Sequence, residues 1–239
     1  MVGLANSFNI SLNAEDAESA EQLIRNVIAQ TTRSGISARA VRELRAGTAN
    51  GKHQGWMEVE TVTHPSTGLT WRILEQGGSE RTRNKVLREV LQGEAASMRN
   101  GGDEAALTPD NYSFEPITDQ GSGPLRIRLK PRRADDKLVD GVLTVSADGY
   151  PLRLEGKLAK SPSFWVRSVT IVKRYGRFAG VALPTSLESV ADVRMVGQSN
   201  FSMRYHYREV NGQDIPHAVA FAPLSDVSAE ILTLHGSRQ

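Results

Sequence analysis

Leu125-Arg126-Ile127-Arg128-Leu129-Lys130 alternates apolar and basic residues without a fault. A period of two puts every apolar side chain on one face of an extended chain, so this is a strand with one buried and one solvated side. Downstream the same period recurs. Leu143-Thr144-Val145-Ser146 and Leu152-Arg153-Leu154-Glu155-Gly156-Lys157-Leu158 flank Asp148-Gly149, a dipeptide suited to a tight hairpin because glycine accepts positive φ. Strands follow at Trp165 to Lys173, at about Leu187 to Val196, and at Phe201 to Val210. In the last of these, Phe201, Met203, Tyr205 and Tyr207 share one face, while Ser202, Arg204, His206 and Arg208 share the other.

Upstream, Trp56-Met57-Glu58-Val59-Glu60-Thr61-Val62-Thr63 and Leu69-Thr70-Trp71-Arg72-Ile73-Leu74 read as strands of a three-strand meander over 35–76, with turns at Asn50-Gly51 and Pro65-Ser66-Thr67-Gly68. Two stretches change to helical period. From an N-cap candidate at Asn13, the residues Ala20, Leu23, Ile24, Val27 and Ile28 form one apolar stripe. Ser79 caps a second helix carrying Val86, Leu87, Val90 and Leu91, and the glycine-interrupted segment 93–111 reads as a loop around a short helical turn. The expected fold is mainly β (α+β): from about residue 35 to 210, a strongly curved antiparallel sheet covered by amphipathic helices, with consecutive strands as neighbours. All 239 residues are read as one domain, and part of the tail, which carries Ala218, Val219, Phe221, Leu224, Val227, Ile231 and Leu232, is expected to pack.

Composition excludes several function classes. Net charge is +2, from 29 basic and 27 acidic residues, so the chain lacks the charge excess of a nucleic-acid-binding protein. There is no cysteine, which removes disulfides, thiolate metal sites and thiol nucleophiles. No stretch reaches the roughly 18 apolar residues of a membrane-spanning helix. Met1 to Ser7 has neither a basic n-region nor an apolar h-region, and a cleavable leader is expected to have preceded it.

Candidate chemistry is sparse. His53, His64, His206, His217 and His235 show no metal-ligand spacing. Ser199 in Gly197-Gln198-Ser199-Asn200-Phe201 only faintly resembles a nucleophile elbow, and an esterase would need Ser199 or Ser79 to work with His206. Gly77-Gly78-Ser79 before a helix could hold an anion but reads more simply as a helix start. The basic residues Arg81, Arg83, Lys85 and Arg88, and Arg126, Arg128, Lys130, Arg132 and Arg133, suit either a solvated face or transient contact with anionic head groups. The sequons at Asn9, Asn111 and Asn200 are too common a pattern to decide anything. What remains is apolar surface, and an open sheet under helices either seals a dry core or leaves a cleft for an acyl chain.

Six segments carry a resemblance: Gly77-Gly78-Ser79-Glu80-Arg81, Asp140 to Gly149, Leu152 to Gly156, Ser163-Phe164-Trp165-Val166, Gly180-Val181-Ala182-Leu183-Pro184 and Phe201 to Tyr207. Over roughly Ala14 to Gly212 the chain resembles the LolA/LolB-like superfamily of envelope lipoprotein carriers. The resemblance implies an incomplete β-barrel whose apolar concave face, lidded by helices, receives acyl chains of lipids or lipoproteins in the periplasm, without catalysis, cofactor or metal. By strand alternation the ligand-facing candidates are Trp71, Ile73, Leu143, Val145, Leu152, Leu154, Trp165, Phe201, Met203 and Tyr205. The alternative is an envelope-stress sensor that uses the same half-barrel to bind a protein partner.

Overall fold

The computed structural model describes residues 14–31, 35–101, 103–117 and 124–216. Asn13, the sequon at Asn9, His217, His235 and the apolar tail residues from Ala218 onward lie outside them. Among the described residues eleven strands form one antiparallel sheet: β1 (Ala38–Thr48), β2 (Gly55–His64), β3 (Gly68–Gly78), β4 (Tyr112–Ile117), β5 (Leu125–Pro131), β6 (Val139–Val145), β7 (Pro151–Leu158), β8 (Val166–Phe178), β9 (Val181–Val193), β10 (Gly197–Val210) and the short β11 (Gln213–Asp214). Helix α1 spans Ala14–Thr31, and α2 runs as Glu80–Thr82, a π segment Arg83–Leu87, and Arg88–Arg99.

The strand order is β3-β2-β1-β10-β9-β8-β7-β6-β5-β4, with β11 paired to β10. The sheet is not closed into a barrel. Consecutive strands are neighbours except at one place. β1 pairs with β10, which puts β3 and β4, successive in the chain, at opposite edges. The connection between them carries α2, and α2 lies on the same face of the sheet as α1. Register fixes that face: Trp71, Thr61, Ala40 and Tyr207 form one cross-strand row, Ile73, Val59, Arg42 and Tyr205 the next, and Met57, Leu44, Met203 and Leu187 a third. We call it the inner face.

Each helix seals its own half. Val27 of α1, with Leu23 and Ile24 beside it, packs on Tyr112, Ile127, Leu129, Leu138, Val139, Leu143, Val145 and Leu154. Leu87 and Leu91 of α2 pack on Leu44, Ala46, Met57, Val59, Met203 and Tyr205. The Asp148-Gly149 hairpin forms as its chemistry requires, with Gly149 at φ 83 and Gly149 N–H donating to Ser146 O at 2.9 Å. Its tip also meets α1, since a Cβ at Gly149 would lie 2.6 Å from Asn26 Cβ.

The π segment in α2 has a reason in the sequence. The buried residues Thr82, Leu87, Leu91 and Ala95 are spaced five, four and four. A regular helix would rotate Thr82 off the stripe; one wide turn restores it. Thr82 Oγ1 then donates to His53 O at 2.6 Å, and Ser79 Oγ accepts from Thr82 N–H at 3.3 Å as the cap. Val86, expected in the stripe, is turned outward and exposed.

Two expectations are corrected. Helix α2 does not end at Gly93 but continues to Arg99, because Leu91 and Ala95, buried on either side, hold this turn on the sheet. Gly93 is exposed, and a Cβ there would meet nothing within 4 Å. Gly93→Ala is therefore expected to stabilise the protein by about 1 kcal/mol, raising Tm by roughly 2–4 °C in a thermal melt. The second correction is β4, read as no strand. It lies at the sheet edge, where Pro116 removes no ladder hydrogen bond that the interior needs.

Candidate functional site

Eight of the ten ligand-facing candidates share the inner face. Leu143 and Val145 are fully buried, and Leu154, Met203 and Tyr205 nearly so, all under a helix. Trp71, Ile73 and Phe201 are half-buried at the margin of the α2 cluster. Leu152 and Trp165 stand elsewhere. The β6–β7 register slips between Thr144 and Val145, so Val145 faces Pro151, which is buried, and Leu152 is pushed outward and exposed. Trp165 lies in the turn before β8, 57% exposed. A bulge and a strand boundary are invisible to simple alternation.

Between the two helix-covered halves, burial on β8 and β9 is inverted. Outer-facing Val172 is fully buried and Val190 nearly so, whereas of the inner-facing residues Val169 is buried and Ile171, Lys173, Leu187, Ser189 and Ala191 are only half-buried. Phe201 and Tyr207 of β10 continue this strip, and Tyr207 stacks at 6.1 Å on Tyr205 and meets Phe178 at 4.8 Å with its ring tilted by 49°. The strip joins the two sealed clusters and mixes apolar and aromatic residues with Ser189 and with Lys173, which lies between Leu154 and Leu187 and whose Nζ is 5.2 Å from the centre of the Tyr175 ring.

Among the described residues two clefts, of about 250 and 260 Å³, open near the end of β1 and the start of β2, and no helix residue lines either. The first is bounded by outer-facing Arg45, Trp56, Glu188 and Asn200 and also reaches the strip residues Phe201 and Ser189; the second is bounded by Glu43, Arg45, Trp56, Glu58 and Glu75. Sequence reasoning missed Glu188. Its side chain is 10% exposed, its Oε1 lies 3.5 Å from Arg174 Nη1, and its Oε2 is buried with no hydrogen-bond partner. Burial pushes this carboxyl above the usual range, against the opposing pull of Arg174, Arg204 and Arg153. An acid whose pKa is raised by folding adds stability below its unfolded pKa and loses that contribution as pH climbs through the folded value. Relative to the parent protein, Glu188→Gln is thus expected to have the higher Tm at neutral pH. That advantage should vanish when melts are repeated at about pH 4.

Several other chemical candidates have structural roles. His206 Nε2 lies 3.2 Å from Glu43 Oε1 on the outer face, whereas Ser199 shares the parity of inner-facing Phe201, so the two cannot form a pair. Ser79 serves the α2 cap. Among the described residues no group of three or more His, Asp or Glu side chains could hold a metal. On β5 and the turn after it, Lys130 pairs with Glu115 at 3.0 Å, Arg132 donates to Pro109 O at 2.6 Å, and Arg133 binds Asn111 Oδ1 at 2.6 Å and Asp135 at 3.2 Å. These cations brace the 103–117 segment.

No family model matches the chain, and no curated protein matches it. Among solved structures it is similar to a LolA superfamily protein from Nitrosomonas europaea, with 12% identity and a TM-score of 0.46, over 82% of this chain and 94% of that one. It is also similar to a DUF1329 family protein from Desulfovibrio piger, with 9% identity and a TM-score of 0.40, over 86% of this chain and 94% of that one. A third likeness is to lipovitellin, in a structure concerned with its lipid–protein interactions, with 9% identity, a TM-score of 0.32, and coverage of 80% of this chain and 27% of that one.

Proposed function

We propose that this protein is a periplasmic carrier that shields the acyl chains of a lipid or lipoprotein on the inner face of its sheet, by burial and without catalysis. The inverted burial of the central strands carries this reading: inner-facing Ile171, Leu187, Phe201 and Tyr207 remain partly open between two sealed clusters. A hydrocarbon chain laid on that strip would complete one continuous core. Each enclosed methylene contributes about 0.8 kcal/mol, so about ten would supply roughly 8 kcal/mol, the scale of a micromolar Kd before ordering costs. Trp71 and Ile73 extend the strip toward β3. Leu143, Val145, Leu154, Met203 and Tyr205 would meet the ligand only where a helix lifts.

Lipid extraction and mass spectrometry of the protein purified from its native envelope tests the reading. Stoichiometric co-purifying lipid, together with a fluorescent fatty-acid probe that binds the delipidated protein and is weakened about tenfold by Phe201→Glu, is the expected result. Absence of both lipid and probe binding would overturn it. A stoichiometric polypeptide in place of lipid would instead favour a sensor of protein partners.

A further inference from the structure

The turn before β8 and the turn after β9 stand side by side at one end of the sheet, because Val166 and Val193 are register partners. From them protrude four large apolar side chains: Phe164 is 73% exposed, Trp165 57%, Met195 95% and Val196 53%. The pair of turns is built as a unit. Arg194 N–H donates to Trp165 O at 2.8 Å, Val166 N–H to Ser163 O at 3.1 Å, and Ser161 Oγ to Arg167 O at 2.8 Å. Phe164 and Trp165 meet edge to face at 5.5 Å, and the Arg194 guanidinium lies 4.5 Å over the Phe164 ring.

Met195 sits at φ 67, a left-handed position where glycine or asparagine would be unstrained, yet it carries a long apolar side chain almost wholly into solvent. Contiguous exposed apolar groups on a folded chain mark a contact surface. Among the described residues, the exposed cations Lys160, Arg167 and Arg194 lie on or beside these turns, and Asp192 lies 3.6 Å from Arg167. The apolar groups project from two adjacent turns, so they form a wedge suited to a deformable surface.

We propose that this tip inserts into the interfacial layer of an anionic phospholipid bilayer. Trp165 and Phe164 would sit at head-group depth, Met195 and Val196 would reach the acyl boundary, and Lys160 and Arg194 would meet lipid phosphates. The contact is peripheral; no described helix is long and apolar enough to cross a membrane. The proposal does not rest on the carrier reading, because cargo-free vesicles test it.

The test is flotation with vesicles of equal parts phosphatidylethanolamine and phosphatidylglycerol, compared with phosphatidylcholine alone. The parent protein is expected to float with the anionic vesicles, less so as salt screens the cations, and not with phosphatidylcholine. A Phe164→Ser/Trp165→Ser/Met195→Ser variant should lose at least about tenfold in partitioning, and Lys160→Glu/Arg194→Glu should lose binding to the anionic vesicles. Circular dichroism and an unchanged Tm establish that these surface variants remain folded. Trp165→Phe keeps an apolar ring, so it should still float while losing the fluorescence quenching that brominated acyl chains produce in the parent. Failure of the parent to float at low salt overturns the proposal, as does flotation that the triple serine variant retains. Self-association that depends on Trp165 without vesicle binding would also overturn it, and would make the tip a protein contact.

Discussion

Gly141→Ala is expected to destabilise the protein by about 3 kcal/mol or more. Gly141 on β6 and Gly156 on β7 are register partners on the inner face, between the Leu143–Leu154 and Val139–Leu158 rows. A Cβ at Gly141 would fall 2.0 Å from Glu155 O and 2.8 Å from Gly156 Cα; one at Gly156 would fall 2.2 Å from Asp140 O and 2.6 Å from Gly141 Cα. The obstructing atoms are backbone. No rotamer change relieves them, so the two strands must part and strain the ladder beneath α1. In a domain of this size the loss corresponds to a Tm lower by roughly 6–12 °C. Gly156→Ala should cost a similar amount, and the double variant less than the sum, because strands already forced apart admit the second methyl more easily. A melt of Gly141→Ala within about 1 °C of the parent would show that the strands are not held this close in solution.

That glycine pair also shows where sequence reading stops. A glycine inside an alternating strand signals close approach of some neighbour, but the partner becomes known only once register pairs Gly141 with Gly156. Elsewhere alternation was sufficient: Leu125 to Lys130 and Phe201 to Val210 are strands, and the odd-numbered residues Phe201 to Tyr207 do share the inner face. It failed where one residue was inserted, as at Leu152, whose place on the inner face is taken by Pro151. A local period carries no information about which distant strands meet. The β1–β10 pairing spans well over a hundred residues, and through it the chain sends α2 across the inner face. The candidate site was legible as a set of apolar positions. The division of that set into sealed and half-open members was not, because it depends on where two helices land.

The second large effect concerns a residue whose oddity appears once the register is known. Along β1 the inner positions run Ala40, Arg42, Leu44 and Ala46, so one cation interrupts an apolar row. Its partner, Glu94 on α2, is 52 residues away. Arg42, its side chain only 5% exposed, donates from Nη1 to Glu94 Oε2 at 2.6 Å and from Nε to Thr61 Oγ1 at 3.1 Å, and its guanidinium lies 4.7 Å from the centre of the Tyr205 ring. Burial alone would disfavour this charge, but Glu94, Tyr205 and Tyr207 outweigh it and hold the guanidinium more firmly protonated than an ordinary arginine. Arg42 therefore cannot shed its charge when Glu94 is removed. Glu94→Ala leaves a buried cation with only neutral partners and is expected to cost about 3 kcal/mol, the lower end of the range for a broken buried pair because Glu94 itself is 22% exposed. Glu94→Gln, which keeps a hydrogen-bond acceptor, should cost less. Replacing both partners by apolar groups of similar length, as Arg42→Met/Glu94→Leu, should recover most of the loss, because the desolvated charge goes with its partner. Denaturant titration of the three variants decides the matter. If Glu94→Ala changed stability by less than about 0.5 kcal/mol, or if the double variant were as unstable as the single, the ion pair would not be what fastens α2 to the sheet.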